Sequence, residues 1–458
     1  MNPNAIVEQT TYVHPAVACA MLLAAALMLV VQRRYLLVPI FLGGLLIPMD
    51  QVLLLGPFHF QMLRILILLG WVRVVFVSSR TSHPLLTGGF STLDKLVIGY
   101  LLFDALDFVL LWGGSSDALI NRCGNLYTSL GTYFLLRVLI RDKDDADIVI
   151  RTLACASAVI AISMLVEQGT GHNPYSIFGG ARAWTRQELM SRSDRFRAMG
   201  PFGHPITAGS FGGICLPCFV GLWLRSRGKR FYAVLGIVSA TVIVIASASS
   251  TPIMAYLFGA LALALWPMRA YVRALRWSLV IGIIALSFVM KAPVWALIER
   301  VDLVGGSSSA HRYQLVDQTI RHFSEWWLFG IQSTADWGDS MWDHANQYVA
   351  VATGSGLIPL IFFIAIIVHA FSLVGRARRR KGQDRKRQLA VWSLGAALTA
   401  NLVAFFGISY FDQTIIVWWG QLAMIAAFYA FVPARSPAST VFASVPIERS
   451  LPRVPLSY

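Results

Sequence analysis

The residues with the means to do chemistry gather in one long polar stretch, from about Glu299 to Gln347, set between very hydrophobic segments. It holds Arg300, His311, Arg312, Arg321, His322 and His344 with seven acidic residues. Links between packed elements are usually short, and long ones tend to be functional. Gly305, Gly306 and Ser307 to Ser309 form a break with N-cap candidates, after which AHRYQLVDQTIRHF has helical spacing. That spacing places Arg312, Leu315 or Val316, Thr319 and Phe323 on one face, and His311, Leu315, Gln318 and His322 on the next. A helix starting near Ser309 aims free amides and its positive dipole end at an anion, with Arg312 in its first turn. Trp326, Trp327, Trp337 and Trp342 read as interfacial aromatics, and stacking on a sugar ring is the sharper alternative. The stretch then returns His344, beside Asp343, to the membrane surface.

A second group lies at 169–200, where Arg182, Arg186, Arg192, Arg195 and Arg197 face only Glu188 and Asp194. Arginine grips phosphate in a bidentate fork while staying charged, so a diphosphate lipid is a fitting ligand. Contact with ordinary lipid headgroups is the plainer alternative. Arg195 and Arg197 open the segment RFRAMGPFGHPITAGSF, residues 195–211. Its prolines stiffen the backbone while Gly200, Gly203 and Gly209 allow close approach. His204 within it is either a polar contact to a headgroup or substrate, or simply a helix-start residue.

The elements that must position these groups are membrane helices. Apolar residues make up 56% of the 458-residue chain and charged residues only 13%, the balance of a polytopic membrane protein. Stretches able to cross the hydrocarbon core run near 14–31, 36–55, 60–77, 93–112, 118–140, 148–168, 201–224, 231–248, 251–267, 276–295, 346–371, 389–408 and 413–432. The expected fold is all-α: a polytopic transmembrane helix bundle of about 12–13 spans, with one large outer loop containing short helices. The whole of 1–458 forms a single integral membrane domain, with outer loops at 169–200 and 296–345 and a flexible cytoplasmic tail at 433–458.

Net charge is +15, yet the basic residues form no single face, which argues against nucleic acid as a partner. They fall instead in alternate loops: Arg33 with Arg34, Arg73 with Arg80, Arg137 to Arg151, Arg225 to Arg230, Arg269 to Arg276, and Arg376 to Arg387. The positive-inside rule puts all six in the cytoplasm, the N-terminus outside and the C-terminus inside. Cys215 and Cys218 have CxxC spacing within an apolar span and no other soft ligands nearby in sequence, so neither a metal site nor a cofactor is expected. Asp50, Arg64, Asp94, Asp104, Asp107, Arg122, Arg137 and Glu167 fall inside spans, where charge is costly. Asp104 and Asp107 share a helix face within reach of Arg64 or Arg122, as structural pairs or as part of a transport path.

Three stretches resemble the O-antigen ligase and polymerase superfamily of bacterial envelope glycosyltransferases: RAMGPFGHPITAG at 197–209, HRYQLVDQTIRHFSEWWLFGIQ at 311–332, and HANQYVAVATGSGLI at 344–358. The resemblance implies a multi-pass inner-membrane enzyme with a periplasmic large loop. It would transfer glycan from an undecaprenyl-diphosphate-linked oligosaccharide to an acceptor glycan, without a metal. By similarity Arg197 and Arg312 would neutralise the diphosphate, helped by Arg195 and Arg300, and His344 would orient or deprotonate the acceptor hydroxyl. The substrate-contacting set extends to His204, His311, Arg321 and Asn346. Partners implied are membrane lipids and other polysaccharide export components. Two positions depart from the family: Ala345 stands where it has the histidine before asparagine, and Ile206 where asparagine is common. These departures favour a polymerase of exopolysaccharide or O-antigen repeats over a ligase acting on lipid A-core. A lipid-linked oligosaccharide flippase and an envelope scaffold are the readings from other classes.

Overall fold

The structure is a computed structural model and describes residues 12–56, 58–78, 85–179, 196–300, 308–380 and 384–430. Each of the thirteen apolar stretches contains a helix: α1 (Pro15–Val30), α2 (Leu37–Leu46), α3 (Met62–Ser78), α4 (Thr92–Leu111), α5 (Ser116–Leu139), α6 (Lys143–Thr170), α7 (Pro205–Arg225), α8 (Arg230–Ala246), α9 (Ser250–Ala264), α10 (Val272–Val289), and later α14 (Leu357–Arg379), α15 (Arg385–Phe405) and α16 (Thr414–Ala430). Between α10 and α14 lie α11 (Ser308–Arg321), α12 (Phe323–Trp326) and α13 (Gln347–Ser355). Among the described residues, six helices are long and apolar enough to cross a membrane, and the chain is a helical membrane protein.

The chain is mostly helical, as an all-α bundle requires, and two of the expected spans depart from a single continuous helix. The stretch 36–55 is not one helix: α2 ends at Leu46, and Val52–Leu55 (β1) pairs antiparallel with Phe58–Gln61 (β2). Two strands alone are marginal in water, but this hairpin closes on the bundle, where Tyr12 pairs with Val52 and Gln51 donates to the Phe178 and Gly179 carbonyls. The stretch 346–371 also breaks, into α13 and α14, at Gly356. There φ is +88° and ψ −170°, a region essentially reserved for glycine. A side chain at Gly356 would stand 2.5 Å from the Leu328 carbonyl oxygen, so the loop backbone packs directly on the break.

The basic clusters meet one another at one end of the bundle. Arg33 bonds Asp145 at 3.0 Å, and Lys229 bonds Asp147 at 2.7 Å. Arg387 donates to the Phe428 carbonyl, while Arg376 and Arg380 lie over Tyr429. At the same end the buried Arg137 pairs with Asp94 at 3.2 Å, with Tyr133 as a second donor to that carboxylate. Removing one partner of such a pair strands a charge in the bundle. Arg64 bonds Thr128 and the His59 carbonyl and is not the partner of Asp104, which Arg122 holds at 3.2 Å. Helix α10 has no buried residue and presents its apolar surface outward.

A bulkier residue at Gly356 should unseat the loop. Gly356→Ala is expected to cost about 1–3 kcal/mol from the backbone region alone. A thermal melt of the full chain in lipid nanodiscs checks it, and an unchanged midpoint would show that the break relaxes freely.

Candidate functional site

The segment 196–204 crosses from loop to helix without regular structure, so each backbone polar group needs a partner found elsewhere. The Ala198 amide donates to the Ala246 carbonyl at 3.1 Å. One carboxylate oxygen of Glu167, on α6, accepts from the Met199 amide at 3.0 Å and the Gly200 amide at 2.8 Å. Asn173 donates to the Gly200 carbonyl and Gln413 to the Pro201 carbonyl, at 2.8 and 2.6 Å. Gly200 has φ +57° and fits against Ser163 and Met164, leaving little room for a side chain. This scaffolding fixes Arg197, whose Nη2 donates to Ser249 at 3.0 Å. Arg197 Nε is buried and has no hydrogen-bond partner among the described residues, and burial lowers the guanidinium pKa from its usual value. His204 is the N-cap of α7, its Nδ1 accepting from the Ile206 amide.

The long polar stretch folds into a small unit with its own core. Leu315 of α11 packs with Trp326, Trp337, Met341 and Ala352 of α13. Trp326 and Trp337 are therefore core residues and not interfacial ones, whereas Trp327 and Trp342 are exposed. Of the face read from the spacing, Arg312, Leu315 and Thr319 are buried, while Phe323, past the end of α11, is exposed. Trp295 and Arg321 both donate to Asp317, and His322 stacks on Trp337 with ring centroids 4.8 Å apart. Two backbone bonds dock the unit on the helix break: Ile331 to the Thr353 carbonyl and Leu357 to the Trp327 carbonyl, at 2.7 and 2.9 Å.

His344 sits at the end of this unit. Its Nε2 lies 2.8 Å from Thr334 Oγ1, and the same hydroxyl donates its one proton to the Met341 carbonyl at 2.7 Å. The imidazole must then donate from Nε2, which leaves the Nδ1 lone pair free to accept a proton. Burial lowers the His344 pKa, Asp343 opposes that and His311 adds to it, so the ring is neutral near pH 7. His311 Nε2 lies 3.2 Å from the Asp343 carbonyl oxygen.

One short turn, between α15 and α16, joins the two centres. The Tyr410 amide donates to Gln347, just after His344, and Gln413 reaches Pro201 beside Arg197. Asp412 caps α16 through the Thr414 amide and hydroxyl, and burial pushes its carboxyl pKa up. On one side of the turn, Phe411 and Asp412 border a cavity of about 240 Å³ lined also by Asp50, Gln61 and residues 199–203. On the other side, Ser409 and Tyr410 border a second cavity of about 280 Å³.

The structure thus brings Arg197, His204, Arg312, His311 and His344 to the same end of the bundle, opposite the basic clusters. It commits other expected ligands elsewhere. Asn346 is 1% exposed and caps α13, its Oδ1 accepting from Tyr348 and Val349. Arg321 is exposed and held by Asp317. Arg300 ends a 3-10 helix, and Arg195, Arg182, Arg186 and Arg192 lie outside the described residues, as does the tail 433–458. Sequence reasoning passed over Thr334, Glu167 as a backbone clamp, and the turn residues Ser409 to Gln413. A signal existed for the last: SYFDQT is a polar run between two apolar spans in a chain with few charges.

The fold and this end of the bundle define a polytopic helical membrane protein with a docked polar unit and two flanking cavities. No family model matches the chain, and no curated protein is similar to it at a significant level.

Glu167→Ala would strand two buried amides and should free the segment 196–204, at a cost of about 2–4 kcal/mol for two buried donors left unpaired. Limited trypsin digestion of the chain in nanodiscs reads this as faster cleavage after Arg197. Wild-type cleavage rates would show that the clamp does not hold the segment.

Proposed function

We propose that the protein is a membrane glycosyltransferase. It transfers or polymerises undecaprenyl-diphosphate-linked oligosaccharide units at the periplasmic face of a bacterial inner membrane, in exopolysaccharide or O-antigen synthesis. Supporting this most directly is a buried Arg197 whose Nε is unpaired among the described residues, at the same end as a neutral His344 with a free Nδ1. The first suits a phosphate anion and the second a hydroxyl proton.

In this reading Arg197 and Arg312 hold the diphosphate and offset the charge that builds on it as it leaves. His344 Nδ1 accepts the proton of the acceptor hydroxyl while that oxygen bonds the anomeric carbon. The bond from the anomeric carbon to the diphosphate oxygen breaks, and the undecaprenyl diphosphate departs with its electron pair. Thr334 acts as a positioning residue that fixes the imidazole tautomer. Polymerisation is favoured over ligation to lipid A-core because Ala345 and Ile206 depart from the family pattern. A lipid-linked oligosaccharide carrier is the second reading, favoured by the helix break at Gly356, a feature of transporter sites.

The test is a deletion in the source organism, scored for secreted polysaccharide and the lipopolysaccharide ladder and complemented with variants at equal protein levels. Single repeats without long polymer would mean a polymerase, and polymer left on its lipid carrier would mean a ligase. His344→Ala and Arg312→Ala should each lower transfer about a hundred-fold or more. Full rescue by both would overturn the transferase and leave the carrier.

Because the base works as the neutral ring, transfer should fall as pH drops through the His344 pKa, and burial places that fall below the usual histidine range. Thr334→Val should shift the fall and slow transfer, and Thr334→Ser should restore both. A pH profile that is the same in all three proteins would remove Thr334 from the site.

A further inference from the structure

The second cavity lies between α4, α5, α13 and α16 and belongs to neither charged centre. Its walls mix two kinds of surface. Trp418, Trp419, Phe363 and Phe405 supply aromatic faces, while Asn125, Ser129 and Ser409 supply amide and hydroxyl groups. Ser129, Trp418 and Trp419 are each at most 5% exposed. Among the described residues, Asn125, Ser129, Ser409 and the two indoles make no side-chain hydrogen bond, and none of their polar atoms is sealed away from the cavity. They are free to bond an occupant.

Charge narrows the class of that partner. Arg122, on the cavity wall, is matched by Asp104 at 3.2 Å, and Asp104 also accepts from Ser355 at 2.6 Å. The wall is therefore close to neutral and does not call for an anion. A lipid chain would leave the amide, hydroxyls and indole N–H groups unpaired at a cost for each. Alternating hydroxyls on the edge of an apolar ring face would satisfy both surfaces. The volume of about 280 Å³ is roughly twice the 150 Å³ that admits benzene, enough for one hexose ring with a few waters.

We propose that this cavity is a sugar subsite, holding one neutral pyranose ring of the acceptor glycan between the Trp418 and Trp419 indoles and the Asn125, Ser129 and Ser409 side chains. The proposal rests on the transferase reading, since a transferase needs a second substrate site beside its donor. The position fits that need: Ser409 and Tyr410 line this cavity, and their neighbours Phe411 and Asp412 line the one bordered by residues 199–203, the segment that follows Arg197. An occupant would also touch the turn that joins His344 to Arg197.

The full chain in phosphatidylethanolamine and phosphatidylglycerol nanodiscs is titrated with the methyl glycosides of glucose, galactose, mannose and N-acetylglucosamine, read by saturation-transfer-difference NMR. At least one glycoside should bind, with affinity about ten-fold weaker in Asn125→Leu and in Ser409→Ala, each deleting one polar partner. Arg312→Ala, outside the cavity, should bind as wild type. The proposal falls if no glycoside binds, which would mean a cavity holding water only, or if both cavity variants bind as wild type while melting normally. Glycoside binding with polymer synthesis intact in both Arg312→Ala and His344→Ala would sink the transferase while keeping the sugar site. Loss of synthesis in Arg312→Ala with no glycoside binding anywhere would sink the sugar site alone.

Discussion

A carboxylate that takes two backbone amides deep in a bundle is the interaction on which the rest of this architecture depends. Glu167 lies in the last turn of α6, and its oxygen on the Met199 and Gly200 amides lets irregular chain run inside the bundle. Regular helix would have needed no such help, because its amides are satisfied within the segment. Irregular chain is what lets Arg197 stand beside Ser249 and the next helix begin with His204 as its cap. The arginine is thus carried by a carboxylate it does not touch.

The same logic governs the other irregular point. At Gly356 a membrane helix stops and restarts, and the freed backbone is taken up by the loop unit through Ile331 and Leu357. Docking there holds α11 and its Arg312, and brings Thr334 under His344. The turn between α15 and α16 then ties the two irregular points together, with Gln413 bonded to one and the Tyr410 amide to the other. Three breaks in regular structure converge at one end. The opposite end, by contrast, is closed by ordinary ion pairs such as Asp147 with Lys229.

This division has a physical origin in cost. Several charges that stay in regular helices are paired with near neighbours, as Arg137 is with Asp94 and Arg122 with Asp104. Arg197 has a buried Nε with no hydrogen-bond partner among the described residues, and it lies on a segment whose backbone had to be clamped. Buried polar groups left unmatched are retained where something else completes them.

Composition and period by themselves determined the helical membrane class and the places where helices run, because hydropathy and helical spacing are local properties. The same local reading singled out Arg197, Arg312, His204 and His344, which the structure brings to one end of the bundle. It took Asn346 for a ligand and Trp326 and Trp337 for interfacial rings, since a residue's type does not say whether a cap or a core will claim it. Only tertiary structure decided the β1–β2 hairpin, the break at Gly356, the Glu167 clamp and the Thr334 bond to His344. Each of these depends on which distant segments meet: Glu167 and Gly200 are 33 residues apart, and Gln413 and Pro201 are 212 apart. Contacts of that span are set by how the helices pack, and no local pattern records them.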